Sequence, residues 1–185
     1  MDFQFTEEQE LLRKTVRDFT AKELAPRDAA MDRANELPLD IVEKLAEAGL
    51  FGVYFPEEYG GAGADSVSAV IVMEELAQGS SSIALTLDAH WLAVDPILHF
   101  GTPEQKQRFL PDLVSGKKLA AFALTEPVAG SDAASIQSTA VKDGDSWMLH
   151  GTKAFITNAG PAEVYVVAVK TDPEKGARGI STFIV

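Results

Sequence analysis

Two stretches of this 185-residue chain concentrate side chains able to do chemistry: Phe122 to Ser135, reading FALTEPVAGSDAAS, and Gly151 to Gly160, reading GTKAFITNAG. In the first, an apolar run from Ala120 to Leu124 delivers a hydroxyl and a carboxylate, Thr125 and Glu126, to the rim of a sheet just before Pro127 ends the ladder. The chain then turns through Ala129, Gly130, Ser131 and Asp132. A glycine there can take positive φ, its polar neighbours can cap N–H groups, and several N–H groups can converge on one side as an anion cradle. The second stretch reads as alternating, so that Phe155 and Thr157 share a face while Ile156 turns to the core. An aromatic face beside a hydroxyl suits a flat heteroaromatic ring that also takes one hydrogen bond.

Other chemistries are poorly supported. The absence of cysteine removes disulfides, thiolate nucleophiles and cysteine metal sites. His90, His99 and His150 are too scattered for a metal centre, and no metal is expected. No Gly-x-Gly-x-x-Gly follows a strand, so a Rossmann site is not indicated. With 28 acidic against 16 basic residues the net charge is −12, which speaks against nucleic acid and anionic membrane as partners. A polyanionic ligand must then be held by local N–H groups, hydroxyls and a few cations. No apolar run approaches the roughly 18 residues of a membrane span, and the acidic N-terminus is unlike a signal peptide; a cytoplasmic protein without membrane insertion is expected.

The positioning elements follow from periodicity. Thr6 and Gln9 form a capping box for a helix carrying Leu12, Val16 and Phe19 on one face and running to about Leu24 before Pro26. A second helix begins near Pro38 and ends at Gly49, and a third, capped by Asp65 or Ser66, carries Val67, Val70, Ile71 and Leu76. Ile83 to Phe100 is a fourth, kinked or divided at Pro96, and Thr102-Pro103-Glu104-Gln105 opens a fifth ending near Gly116. From Lys117 the period becomes two. Leu119 to Thr125 is a strand, Gln137 to Val141 and Trp147 to Leu149 form a hairpin, and Val164 to Val169 and Ile180 to Val185 are further strands. The fold class is α+β: a helical domain over residues 1–116 and a β-domain over residues 117–185.

Taken in order, Leu124-Thr125-Glu126-Pro127 with Gly130-Ser131-Asp132, and Lys153-Ala154-Phe155-Ile156-Thr157-Asn158, resemble the two signatures of the acyl-CoA dehydrogenase flavoprotein family. Phe55 to Gly63 (FPEEYGGAG) and Phe100 to Leu113 (FGTPEQKQRFLPDL) extend the resemblance over nearly the whole chain. It implies FAD as cofactor, with Phe122, Leu124, Thr125, Gly130, Ser131, Phe155, Ile156 and Thr157 around it. Many relatives have tryptophan at Phe155, so flavin stacking survives and an indole N–H contact does not. Substrate contacts are implied for Ser131, Leu87 and His90; Trp91 either shortens the acyl pocket or fills the core.

The resemblance further implies an incomplete antiparallel, barrel-like β-domain, a C-terminal helical bundle missing from this chain, and a catalytic glutamate in that missing part. No catalytic residue is therefore assigned here, and Glu126 reads as structural. The implied activity is α,β-dehydrogenation of a short or branched acyl-CoA in fatty acid metabolism. Electrons would pass to an electron-transferring flavoprotein and the full protein would be a homotetramer, this chain being an inactive N-terminal fragment. The alternatives are a non-catalytic flavin- or CoA-binding remnant, half of a hetero-oligomer, or an acyl-CoA oxidase-like relative.

Overall fold

A computed structural model describes residues 4–185. The chain divides into two units, Met1–Lys118 and Leu119–Val185.

The first unit is helical. Helix α1 (Glu7–Phe19) starts with the Thr6/Gln9 capping box and continues through a π-helical turn, Thr20–Leu24. Helix α2 (Asp28–Ala34) has no counterpart in the apolar periodicity, because none of its residues is buried. Helix α3 (Leu39–Glu47) buries Ile41, Val42 and Leu45. Asp65 caps α4 (Ser66–Ala77), whose Ile71, Val72 and Leu76 enter the core, whereas Val67 and Val70 are exposed. Helix α5 (Ser81–Phe100) runs as one helix through Pro96. Pro96 and Leu92, four residues earlier, lie toward the open face of α5, where a carbonyl that has lost its N–H partner stays close to water. Helix α6 (Pro103–Val114) repeats the capping-box start at Thr102. Helix α1 packs on α4, α4 on α5 and α5 on α6.

The α1–α4 contact is fastened by a charge. Glu75, 1% exposed, accepts from Arg13 Nε at 3.0 Å, from Arg17 Nε at 2.9 Å and Nη2 at 2.7 Å, and from Gln78 Nε2 at 3.1 Å. The Arg17 hydrogen bond leads in holding this carboxyl below its ordinary range, against the opposing effect of burial.

The second unit is a five-stranded mixed sheet of β1 (Ala120–Ala123), β2 (Thr139–Asp143), β3 (Ser146–His150), β4 (Val164–Lys170) and β5 (Ile180–Ile184). The expectation of an antiparallel sheet is corrected here. Strands β2/β3 and β4/β5 are antiparallel, but β1 runs parallel to β4 from Ala120↔Val164 to Ala123↔Val167, and Thr139 meets Lys170 in parallel. Parallel neighbours need a long crossover. The β2–β3 hairpin and the 151–163 loop supply it, so the pairing has no local sequence signal. Ala129, Ile136 and Ala168 form a core cluster with Leu124 and Ile180 against it.

Replacing Glu75 by Ala is expected to lower the unfolding free energy by about 2–4 kcal/mol, since several charge-assisted bonds are lost together. Urea denaturation followed by far-UV circular dichroism measures it; a change under 0.5 kcal/mol would mean that the arginines only decorate α1.

Candidate functional site

The two chemistry-bearing stretches meet in the β-unit. After β1 the chain closes a tight turn in which Glu126 and Ala129 exchange backbone hydrogen bonds at 2.9 and 3.1 Å around Pro127 and Val128. The 151–160 loop is tied to this region three times. The Ala154 N–H donates to the Thr125 carbonyl at 2.9 Å, Lys153 Nζ donates to the Leu124 carbonyl at 2.9 Å, and Asn158 Nδ2 donates to the Ala120 carbonyl at 3.1 Å.

At the centre lies Glu126, whose side chain is 3% exposed and pairs with Lys153 Nζ at 2.8 Å. Its other bonds come from the N–H groups of Gln137 at 2.6 Å and Ser138 at 3.0 Å. Burial by itself would raise this carboxyl, but the Gln137 N–H, the Lys153 ammonium and Ser138 together outweigh it and bring the pKa to about 2. A carboxylate so acidic and so fully engaged is a staple between three segments and a poor proton acceptor. Lys153, the other half of the staple, escaped the sequence reading. Its place two residues before an aromatic was the available signal. Gly151, at φ 149°, allows the approach, since a Cβ there would stand 2.0 Å from Ser138 Oγ.

Phe155 departs from the alternating strand expected. The segment is a loop, and Phe155 sits in the left-handed region at φ 55° with 94% of its surface exposed. A bulky residue in that region costs roughly 1–2 kcal/mol and persists only where flanking bonds impose it. Here they are the Ala154–Thr125 bond on one side and, on the other, Asn158, itself at φ 68°. Ile156 and Thr157 are both half-buried, so neither points squarely to the core.

Among the other expected residues, Phe122, Leu124 and Thr125 are half-buried, and Leu124 packs against the core cluster. Gly130 and Ser131 are exposed. Gly130 does not take the positive φ expected of it, and nothing lies within 4 Å of where its Cβ would be. None of the described backbone hydrogen bonds uses the N–H of Gly130 or Ser131. Asp132 nearby is tied to the Ser135 hydroxyl. The turn thus presents open N–H donors, a hydroxyl and no side-chain bulk, which fits an anion or a diphosphate.

Leu87 and His90 are placed differently from expectation. Both are fully buried in the helical unit, because they fall on the face of α5 shared with Ile83, Val94 and Ile97. His90 Nε2 donates to the Leu113 carbonyl at 3.1 Å and its ring meets Phe51 edge-on at 4.7 Å. Burial pushes its pKa down to about 4, so it is neutral at pH 7. Neither offers a surface to a ligand. Trp91 is buried as well, its indole N–H donating to the Phe51 carbonyl at 2.9 Å.

Residues 6–117 match the acyl-CoA dehydrogenase N-terminal domain, and residues 121–185 match the acyl-CoA dehydrogenase middle domain. The chain is 45% identical over 181 residues to an acyl-CoA dehydrogenase of Bacillus subtilis, covering 97% of this chain and 48% of the relative. It is 46% identical over 182 residues to a 3-(aryl)acrylate reductase of Clostridium sporogenes, covering 98% and 48%. The structure of butyryl-CoA dehydrogenase from Megasphaera elsdenii superposes with a TM-score of 0.95 at 43% identity, covering all of this chain and 50% of that one. The chain therefore spans about half the length of the relatives it matches.

The Glu126 staple has a signed pH dependence. Its folded pKa lies below the ordinary 4.5, so its contribution of about 3 kcal/mol is complete above pH 4.5 and is lost as pH falls toward 2. Lys153→Ala leaves the carboxylate buried and short of its cation and is expected to cost roughly 3–5 kcal/mol at pH 7. The penalty shrinks as pH drops below 4. Chemical denaturation of parent and variant across pH 3–7 checks it; a pH-independent difference would show that Lys153 acts through its methylenes.

Proposed function

Because the chain belongs to the acyl-CoA dehydrogenase family, we propose that its β-unit supplies contacts to FAD in the α,β-dehydrogenation of a short or branched acyl-CoA. The observation that carries this reading is Phe155: an aromatic side chain held in a strained conformation, almost wholly exposed, next to Thr157. A protein keeps such a feature where the ring has work to do outside its own core. The chemistry FAD would supply when bound here is a hydride acceptor for the β-carbon. Phe155 offers a ring face for stacking, and the Thr157 hydroxyl donates a hydrogen bond to the acceptor edge. The open N–H groups of Gly130 and Ser131 receive the diphosphate, and the Ser131 hydroxyl also reaches the pantetheine arm. Phe122, Thr125 and Ile156 shape the wall, with Leu124 contributing through its backbone. This donor set suits the acidic composition, since the anion is met by dipoles instead of by lysines.

No acid in this chain is proposed as the base; Glu126 is engaged, and the proton acceptor is assigned to sequence beyond this span. Transfer of electrons to an electron-transferring flavoprotein, assembly as a homotetramer and a cytoplasmic setting complete the reading. Among the described residues no helix is long and apolar enough to cross a membrane. The near-equal identity to a 3-(aryl)acrylate reductase supports a second reading, in which the same site runs in the direction of double-bond reduction.

Phe155→Gly separates function from folding. Gly relieves the left-handed strain and an exposed ring gives up no packing, so the variant is expected to be about 0.5–1 kcal/mol more stable without ligand. It should nevertheless bind FAD roughly tenfold more weakly. Parallel thermal unfolding and FAD titrations decide; a variant that binds FAD as well as the parent, or a parent that gains no stability from saturating FAD, removes the site assignment. In the flavin-loaded gene product, Thr157→Ala should slow flavin reduction by butyryl-CoA about 5- to 150-fold, with flavin retention changing less. Equal reduction rates would return Thr157 to the scaffold.

A further inference from the structure

Lys153 contacts more than its counter-ion. With its side chain 12% exposed, its ammonium donates to Glu126 Oε1 at 2.8 Å and also to the Leu124 carbonyl at 2.9 Å. The second contact is not needed to neutralise Glu126. It lays a cation on one end of the peptide that joins Leu124 to Thr125, and the other end of that trans peptide is the Thr125 N–H, pointing the opposite way.

An ammonium on the carbonyl oxygen draws electron density along the amide and leaves the N–H a stronger donor, by roughly 10–30% for one such bond. The chain does not use that donor itself. Pairing of β1 with β4 ends at Ala123↔Val167, two residues earlier, and among the described residues no hydrogen bond uses the Thr125 N–H. The next peptide is occupied at both ends: the Thr125 carbonyl accepts from the Ala154 N–H at 2.9 Å, and the Glu126 N–H donates to the Ala129 carbonyl at 2.9 Å. A polarised donor without an internal partner thus stands between fixed points, on a half-buried residue already among the expected FAD contacts.

Reduction of FAD brings in two electrons and, near neutral pH, one proton, so the ring system gains one negative charge. A dipole whose positive end faces the ring stabilises that charge and does little for the neutral oxidised ring. We propose that Lys153 is a positioning residue for the flavin, a role that rests on the FAD reading of this site: through the Leu124–Thr125 peptide it strengthens the Thr125 N–H as a donor to FAD and raises the preference for the reduced form. Glu126 tempers the effect, because its carboxylate holds the ammonium from the other side. The two halves of one ion pair therefore push the flavin in opposite directions.

The test is the reduction potential of FAD in the gene product, read by equilibrium reduction beside a reference dye, together with the dissociation constants of oxidised and reduced FAD. Lys153→Met removes the cation and keeps most of the methylene stem. It should lower the preference for reduced FAD about tenfold, equivalent to about 30 mV. Glu126→Gln removes the opposing charge and should raise the potential above the parent's. The double variant, which buries no charge at the staple, should fall between the two single variants. A merely structural staple loosens the site for both forms of FAD and gives no shifts of opposite sign. Shifts of like sign, or parent-like potentials in both single variants, would overturn the proposal. If Lys153→Met does not fold, the order of parent, Glu126→Gln and double variant decides, and Glu126→Gln must lie highest. A parent that takes up no FAD removes the flavin reading itself and this role with it, an outcome distinct from a parent that binds FAD and variants that do not shift.

Discussion

The buried carboxylate of Glu126 accepts hydrogen bonds from the two N–H groups just before β2 and from the ammonium of Lys153, which also donates to the Leu124 carbonyl just past β1. Three pieces of chain with no regular pairing to one another are held at one point. A buried ion pair is a weak source of net stability, because desolvation offsets most of the Coulomb attraction. Its value here is geometric. Without the staple, the turn after β1 and the loop after β3 keep a single backbone bond, Ala154 to Thr125, and the residues proposed to meet FAD are divided between β1 with its turn and that loop.

Position and strain are linked through this contact. The loop enters Phe155 immediately after Lys153 and Ala154 have been fixed to Leu124 and Thr125, and leaves it toward Asn158, anchored on β1. With both ends fixed, the intervening residues cannot relax into an extended path, and a left-handed aromatic results. The cost of that conformation is carried by polar bonds on either side, while the ring is left free to pack against something that is not its own chain. Gly130 and Ser131 show the same economy by other means: their backbone is unstrained, and it is their lack of internal partners that leaves them available.

The helical unit treats charge in two ways. Glu75 is buried and saturated by two arginines and a glutamine, which joins α1 to α4. Asp88 and Asp95 lie on the outward side of α5, and neither α4 nor α5 carries a lysine or arginine. The same side-chain chemistry joins two helices at Glu75 and, among the described residues, forms no ion pair at Asp88 or Asp95; the placement of arginines distinguishes them. Net charge alone ranks the two alike.

Much of this protein was legible in the sequence. The capping boxes at Thr6 and Thr102, the Asp65 cap and the hairpin over residues 139–150 rest on interactions within a few residues, so local pattern determines them. Helix α2 was not legible, since a helix with no buried face leaves no apolar period. The parallel register of β1 on β4, the unbroken course of α5 through Pro96, the burial of Leu87 and His90, and the left-handed Phe155 were decided by tertiary structure. Three of the four depend on a partner far along the chain: β4 for β1, the α6 carbonyl for His90, Thr125 and Ala120 for the Phe155 loop; Pro96 depends on which side of its own helix packing leaves open. The sequence by itself determined which groups stand near the site, because signature residues are contiguous. Which of them face outward and which become scaffold was settled when Glu126 found Lys153, because a buried carboxylate is tolerable only with its charge and hydrogen bonds met, and those partners come from distant segments.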